Sequence, residues 1–172
     1  MTAKIALIAS AALLASGVAS AADGPTDPQI AHIAYTAGSL DIEAGKLALR
    51  KSKNASVREF ASEMVRDHAA VNEKALALVT KLGVTPEPNA TSEGLTKQAD
   101  ETRAKLAKLN GKAFDRAYVA NEVSYHNTVN GALKTALIPS ADNGELKSLL
   151  ETGLTLFSEH QKHAEHLSVS LK

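Results

Sequence analysis

The sequence predicts an all-α fold: a ferritin-like four-helix bundle with a short extra helix in the long crossover between helices two and three. Three observations predict it. Alanine is abundant, at 31 of 172 residues, and only six residues are aromatic, a composition that favours helix. Four long stretches carry apolar side chains at steps of three and four residues, which traces one helical face. Tight turns join the first stretch to the second and the third to the fourth, whereas residues 83–111 separate the two pairs. That spacing makes two antiparallel hairpins linked by one long connection.

Residues 1–21 read as a cleaved secretory signal, with Lys4, an apolar run from Ile5 to Val18 and the small-x-small site Ala19-Ser20-Ala21. The run is shorter than the ~20 residues of a membrane-spanning helix. Cleavage leaves residues 22–172 as one helical domain carrying 18 basic and 19 acidic residues, a formal charge of −1, because only Lys4 is lost. The expected location is the periplasm or the cell exterior.

The first helix is predicted from about Pro28 to Lys53, with Asp27 as N-cap. Its stripe is Ile30, Ile33, Ala37, Leu40, Ala44 and Leu47, and Gly38 and Gly45, two turns apart, mark a candidate close approach of backbones. The second runs from about Ser56 to Leu82, opened by a capping box at Ser56 to Glu59 and stopped by Gly83. Val57, Ala61, Met64, His68, Val71, Ala75, Leu78 and Leu82 form its stripe. After a loop holding Pro86 and Pro88, a shorter charged helix is expected from about Ser92 to Leu109. The third long helix runs from about Lys112 to Ile138, ending at Pro139, with Val119, Glu122, His126, Val129, Leu133 and Leu137 on one face. The last runs from about Glu145 to Leu171, with Leu146, Leu149, Gly153, Leu156, His160, His163 and Leu167.

Composition excludes much chemistry. With no cysteine there are no disulfides, thiolate zinc sites, iron–sulfur clusters, thiol catalysis, c-type haem or lipoprotein anchor. Equal numbers of basic and acidic residues exclude the footprint of a nucleic-acid binder. No later stretch is apolar enough to span a membrane.

The histidines carry the functional signal. Glu43, His68, His126 and His160 each lie within three residues, or ~4.5 Å, of the midpoint of their helix. The three histidines lie on apolar stripes, and Glu43 lies at the edge of one. One polar side chain per helix thus converges at mid-height of the core, where burial without partners is costly. Glu122 stands four residues before His126, His163 three after His160, and Asp67 adjoins His68 as an orienting partner. Imidazole and carboxylate suit a transition metal such as zinc, copper or iron. The alternative is a metal-free polar layer that fixes helix register, in a structural or envelope-protein interaction module. His32 and His166 fall off the stripes and are expected at the surface. No glutamate has histidine three residues later, so a ferritin-type di-iron centre is disfavoured. Few aromatics argue against b-type haem. No nucleophile–base arrangement is evident, so the balance is against an enzyme, and nothing fixes the oligomeric state.

The run Leu40-Asp41-Ile42-Glu43-Ala44-Gly45-Lys46-Leu47-Ala48, the run Val57 to His68, the segment Ala113-Phe114-Asp115-Arg116-Ala117-Tyr118 with His126, and Glu159-His160 with His163 resemble a family of secreted bacterial proteins. It is the ferritin-like domain of unknown function 4142, often labelled "predicted outer membrane protein". The resemblance implies a four-helix bundle outside the cytoplasm and no established reaction. Its histidines correspond to His68, His126, His160 and His163. The outer-membrane label finds no support in a chain with neither a pattern of alternating strands nor a lipid-bearing cysteine.

Overall fold

Helix α1 spans Asp27–Lys51, α2 Ala55–Leu82, α3 Ala90–Ala107 and α4 Gly111–Ala132. A π-helical segment, Leu133–Leu137, leads into the single turn α5 (Ile138–Ser140), and α6 spans Gly144–Ser170. The computed structural model describes residues 24–171. The expected signal at residues 1–21 lies outside them. Among the described residues there is no strand.

Hydrogen bonds at both ends of the connector set the topology. Near the start of α1, Glu87 N–H donates to Pro28 O, and Asn89 Nδ2 donates to Gln29 O. At the far end, Lys51 Nζ donates to Ala107 O and to Asn110 Oδ1. Helix α3 therefore runs alongside α1, from its N-terminal to its C-terminal end. Helices α2 and α4 run in the same direction, and the fold has the predicted single long crossover. α1 packs chiefly on α2, α4 chiefly on α6, and α2–α6 and α1–α4 contacts close the square.

Three expectations at helix ends are corrected. The N-cap of α1 is Thr26, whose N–H donates to Gln29 Oε1. Asp27 has a different task, accepting from the backbone N–H groups of Asp142 and Asn143 and so pinning the α5–α6 turn to α1. Helix α2 is capped by Asn54, whose Oδ1 accepts from Ser56 and Val57 N–H, so the Ser56 capping box is not used. Asparagine two positions earlier starts the helix sooner and satisfies the orphan amides of that first turn. Pro139 does not end the helix either. The wide turn, closed by Ile138 N–H on Leu133 O, absorbs the ring that an unbroken α-helix would drive into the carbonyl four residues back.

The two glycines of α1 do mark a close approach. A Cβ on Gly45 would stand 2.9 Å from Val65 Cγ2 and 3.1 Å from the Ala61 carbonyl; one on Gly38 would meet the Asn72 amide. Asn72 in turn donates from Nδ2 to Tyr35 O and Ser39 Oγ, tying α2 to α1.

The interior has two apolar clusters. One holds Ala48, Val57, Phe60, Met64, Phe114, Tyr118 and Leu167. The other holds Ile30, Ile33, Leu78, Leu133, Leu150 and Phe157. Asp41, His68, Glu122, His126 and His160, all buried, belong to neither.

Candidate metal centre

Each long helix contributes at mid-height: Asp41 from α1, His68 from α2, Glu122 and His126 from α4, and His160 from α6. None is more than 3% exposed. The ring centroids of His68, His126 and His160 form a nearly equilateral triangle with sides of 5.7, 5.6 and 5.4 Å. One nitrogen from each lies within 4.8 Å of the other two. Asp41, Glu122 and His126 meet the same condition, so His126 belongs to both triads. Phe157 stacks on His68 at 4.5 Å between centroids and 9° between planes, fixing that imidazole. His126 Nδ1 sits 3.0 Å from the Glu122 carbonyl, which turns Nε2 towards the interior, 3.8 Å from Asp41 Oδ2.

The polar atoms are close yet poorly matched to one another. His68 Nε2 approaches Asp41 Oδ2 to 2.7 Å, but neither atom has an aligned hydrogen-bond partner. His68 Nδ1, Asp41 Oδ1, Glu122 Oε2, His126 Nε2 and His160 Nδ1 also lack one. Buried polar groups are ordinarily satisfied, and each exception costs roughly 1–3 kcal/mol. Polar atoms from four helices therefore converge with few aligned hydrogen bonds among them.

Electrostatics sharpens the picture. Burial works to raise the Asp41 carboxyl, but the His68 and His126 rings outweigh it and hold the group far below the usual carboxylate range. Glu122 shifts oppositely: burial, reinforced by the negative Asp41, raises it well above its ordinary 4.5. Burial, with His68 as an adverse neighbour, pushes His126 and His160 below their ordinary 6.5. At neutral pH the layer thus holds an ionised Asp41 and neutral imidazoles at His126 and His160, with Glu122 biased towards its protonated form. Neutral imidazole is the metal-ligating form.

The structure brings His68, Glu122, His126 and His160 together and leaves Glu43 and His163 apart. Glu43 is on the surface, paired with Lys46 at 2.9 Å. On a wheel of 100° per residue it stands about 120° from Ala37, while Asp41 stands about 40° away. Asp41 also sits at the predicted midpoint of α1, so its position on the wheel was the signal that identifies it as the carboxylate of this level. His163 is half-exposed, 2.8 Å from Glu63, with its ring edge-on to Phe60. Asp67 pairs with His160, at 3.1 Å, and not with its neighbour His68, because adjacent residues on a helix point in different directions. Together with Glu63 these two make an outer triad that shares His160 with the inner one. His166 is exposed as expected, but His32 is half-buried, 3.4 Å from Thr36 Oγ1.

Polar ties surround the layer. Tyr125 Oη donates to Ala37 O at 2.8 Å, joining α4 to α1. Asn130 Nδ2 donates to Phe157 O and Gln161 Oε1, joining α4 to α6. A cleft of about 70 Å³ between α1, α3 and α4 reaches Asp41.

No curated protein matches the sequence. Among solved structures, the fold is similar to that of a DUF305 protein from Streptomyces coelicolor, which its name places among candidate secreted proteins. That match has a TM-score of 0.69 and 12% identity, and covers 83% of this chain and 91% of that one. It is also similar to a DUF305 fragment from Deinococcus radiodurans, with a TM-score of 0.70 and 11% identity over 87% of this chain and 99% of that one. At such identities the likeness shows a shared helical fold. The profile of one sequence family covers residues 13–167, and the chain belongs to that family, the domain of unknown function DUF4142.

Proposed function

We propose that this protein binds a transition metal ion in its mid-core layer, through His68, His126 and His160 with Asp41 as the charged ligand and Glu122 beside it. One observation carries the reading: three buried imidazoles from three helices hold nitrogens within 4.8 Å of one another, while several polar atoms of the layer lack an aligned hydrogen-bond partner. Side-chain movements of under about 1 Å bring such a set to metal–nitrogen distances of ~2.0–2.1 Å. Ionised Asp41 offsets part of the charge of a divalent ion. Protonated Glu122 supplies the second carboxylate when it gives up its proton. Zinc, copper and iron suit this donor set.

The role proposed is metal handling in the cell envelope, including its stress responses, and not turnover of a substrate. No helix among the described residues is long and apolar enough to cross a membrane. Export by the segment at residues 1–21 is part of the proposal, in keeping with the name of the Streptomyces relative.

Elemental analysis of the protein, purified without a histidine tag, tests the reading. Metal should be present, should be lost in His68→Ala and His126→Ala, and should be retained in His32→Ala. Metal-free protein that takes up no zinc, copper or iron would instead support a polar layer that only fixes helix register.

A further inference from the structure

Beside the histidine layer, in the half of the bundle that holds the N-terminal end of α1, lies a cavity of about 670 Å³. Its volume falls within the range of ligand pockets, ~300–1,000 Å³. The wall is aliphatic, with Ile33, Val71, Val129, Leu133, Leu137 and Leu150 among its residues. Three glycines, Gly24, Gly38 and Gly153, take part in it. The π-helical segment contributes Leu133, Ala136 and Leu137, and such widened turns recur at functional sites.

The polar complement of the wall is small and specific. No lysine, arginine, aspartate or glutamate lines the cavity, so it offers a charged head group no fixed counter-charge. The Asn72 amide nitrogen is already engaged with Tyr35 and Ser39, and the Tyr125 hydroxyl with Ala37. Gln29, Asn89, Thr91 and Thr128 also line the cavity but are partly or fully exposed; among the buried polar residues, His68 and His126 line it with His68 Nδ1, His68 Nε2 and His126 Nε2 unpartnered. An apolar chamber with two nine-tenths-buried imidazoles facing it is built for an occupant that is apolar along its length and neutral at its head.

We infer that this cavity binds one neutral lipid-like molecule per chain, with an aliphatic or isoprenoid tail against the α1, α2, α4 and α6 wall and a hydroxyl or carbonyl head at His68 and His126. The head contacts, His68 and His126, are also ligands in the metal reading, so the two occupants compete there and the site is tested with chelator present.

The protein beginning at Ala22, which carries every described residue and both core clusters, is titrated with the neutral dye N-phenylnaphthylamine. Dodecanol and dodecanoate then compete for the dye. Expected are saturation at one dye per chain, displacement by dodecanol, and roughly tenfold weaker displacement by dodecanoate, equivalent to about 1.4 kcal/mol. Val129→Phe and, separately, Val71→Phe place a ring in the chamber and should weaken dye binding by at least roughly tenfold, with the helical circular-dichroism signal retained. If one variant fails to fold, the other carries the test. Absence of saturable binding in the parent protein overturns the proposal. So does displacement by dodecanoate as strong as by dodecanol, or undiminished dye binding in the folded variants. Metal content plays no part in these outcomes, so they are separate from success or failure of the metal reading.

Discussion

Asp41 carries the charge of the polar layer, and its neighbour two positions on does not. Asp41 is 1% exposed and lies 2.7 Å from His68. Glu43 is an exposed partner of Lys46. Asp41→Asn should weaken metal binding by roughly 10–100-fold, whereas Glu43→Gln should leave it unchanged, as read by competition with a chromophoric chelator. Glu122 behaves differently because its folded pKa is raised by burial and by Asp41. In metal-free protein, Glu122→Gln should remove this group's contribution to the pH dependence of stability above 4.5 while lowering metal affinity. A pH profile of metal-free stability unchanged by Glu122→Gln would contradict the raised pKa of Glu122. Tyr118 Oη is buried without a partner, so Tyr118→Phe should change stability by less than about 1 kcal/mol.

At the scale of the element, α1 and α2 pack closely through Gly45. Gly45→Leu drives a side chain into Val65 Cγ2 and the Ala61 carbonyl. It should destabilise by about 1–3 kcal/mol, through overpacking that outweighs the gain in helix propensity; denaturant unfolding reads it. The helices themselves were legible in the sequence, because stripes such as Val57, Ala61, Met64 and His68 repeat at helical steps and Gly83 stops α2. The close approach at Gly38 and Gly45 was legible for the same reason. What escaped was chemistry without a period. Asp27 works across the chain on Asp142 and Asn143, and local spacing assigns it to its own helix instead. Pro139 reads as a stop, but a π-helical segment takes it up. Asp67 serves His160, 93 positions away, and only the packing of α2 on α6 reveals the pair. His68, His126 and His160 could be placed at one level because a level is a length argument, whereas the burial of Asp41 beside them is an angle argument that the spacing did not make.

For the whole molecule, the layer makes stability depend on pH. His126 and His160 have folded pKa values below 6.5. Below pH 6.5 the unfolded chain takes up protons that the folded chain resists, so this contribution falls on acidification. Glu122 acts oppositely: above 4.5 the unfolded chain releases a proton that the folded chain keeps, so its contribution falls as pH rises. Asp41, depressed from 3.8, contributes stability that is present above that value and lost as pH falls further. Metal-free protein should therefore lose stability into acid through the histidines and Asp41, while Glu122 opposes them as pH rises above 4.5, and Glu122→Gln should remove that opposing contribution in a series of thermal melts. Bound metal changes the balance, since neutral imidazoles and ionised carboxylates are the ligating forms and acid must release the ion. The most direct test of the central claim is the melting temperature at neutral pH with chelator, and again after addition of zinc, copper or iron. An ion held at 100 times its Kd stabilises by about 2.7 kcal/mol, a rise of roughly 5–10 °C for a chain of this size. The melting temperature should rise with at least one of these metals, and the rise should be lost in His126→Ala; no shift with any of them would rule out a metal site in this layer.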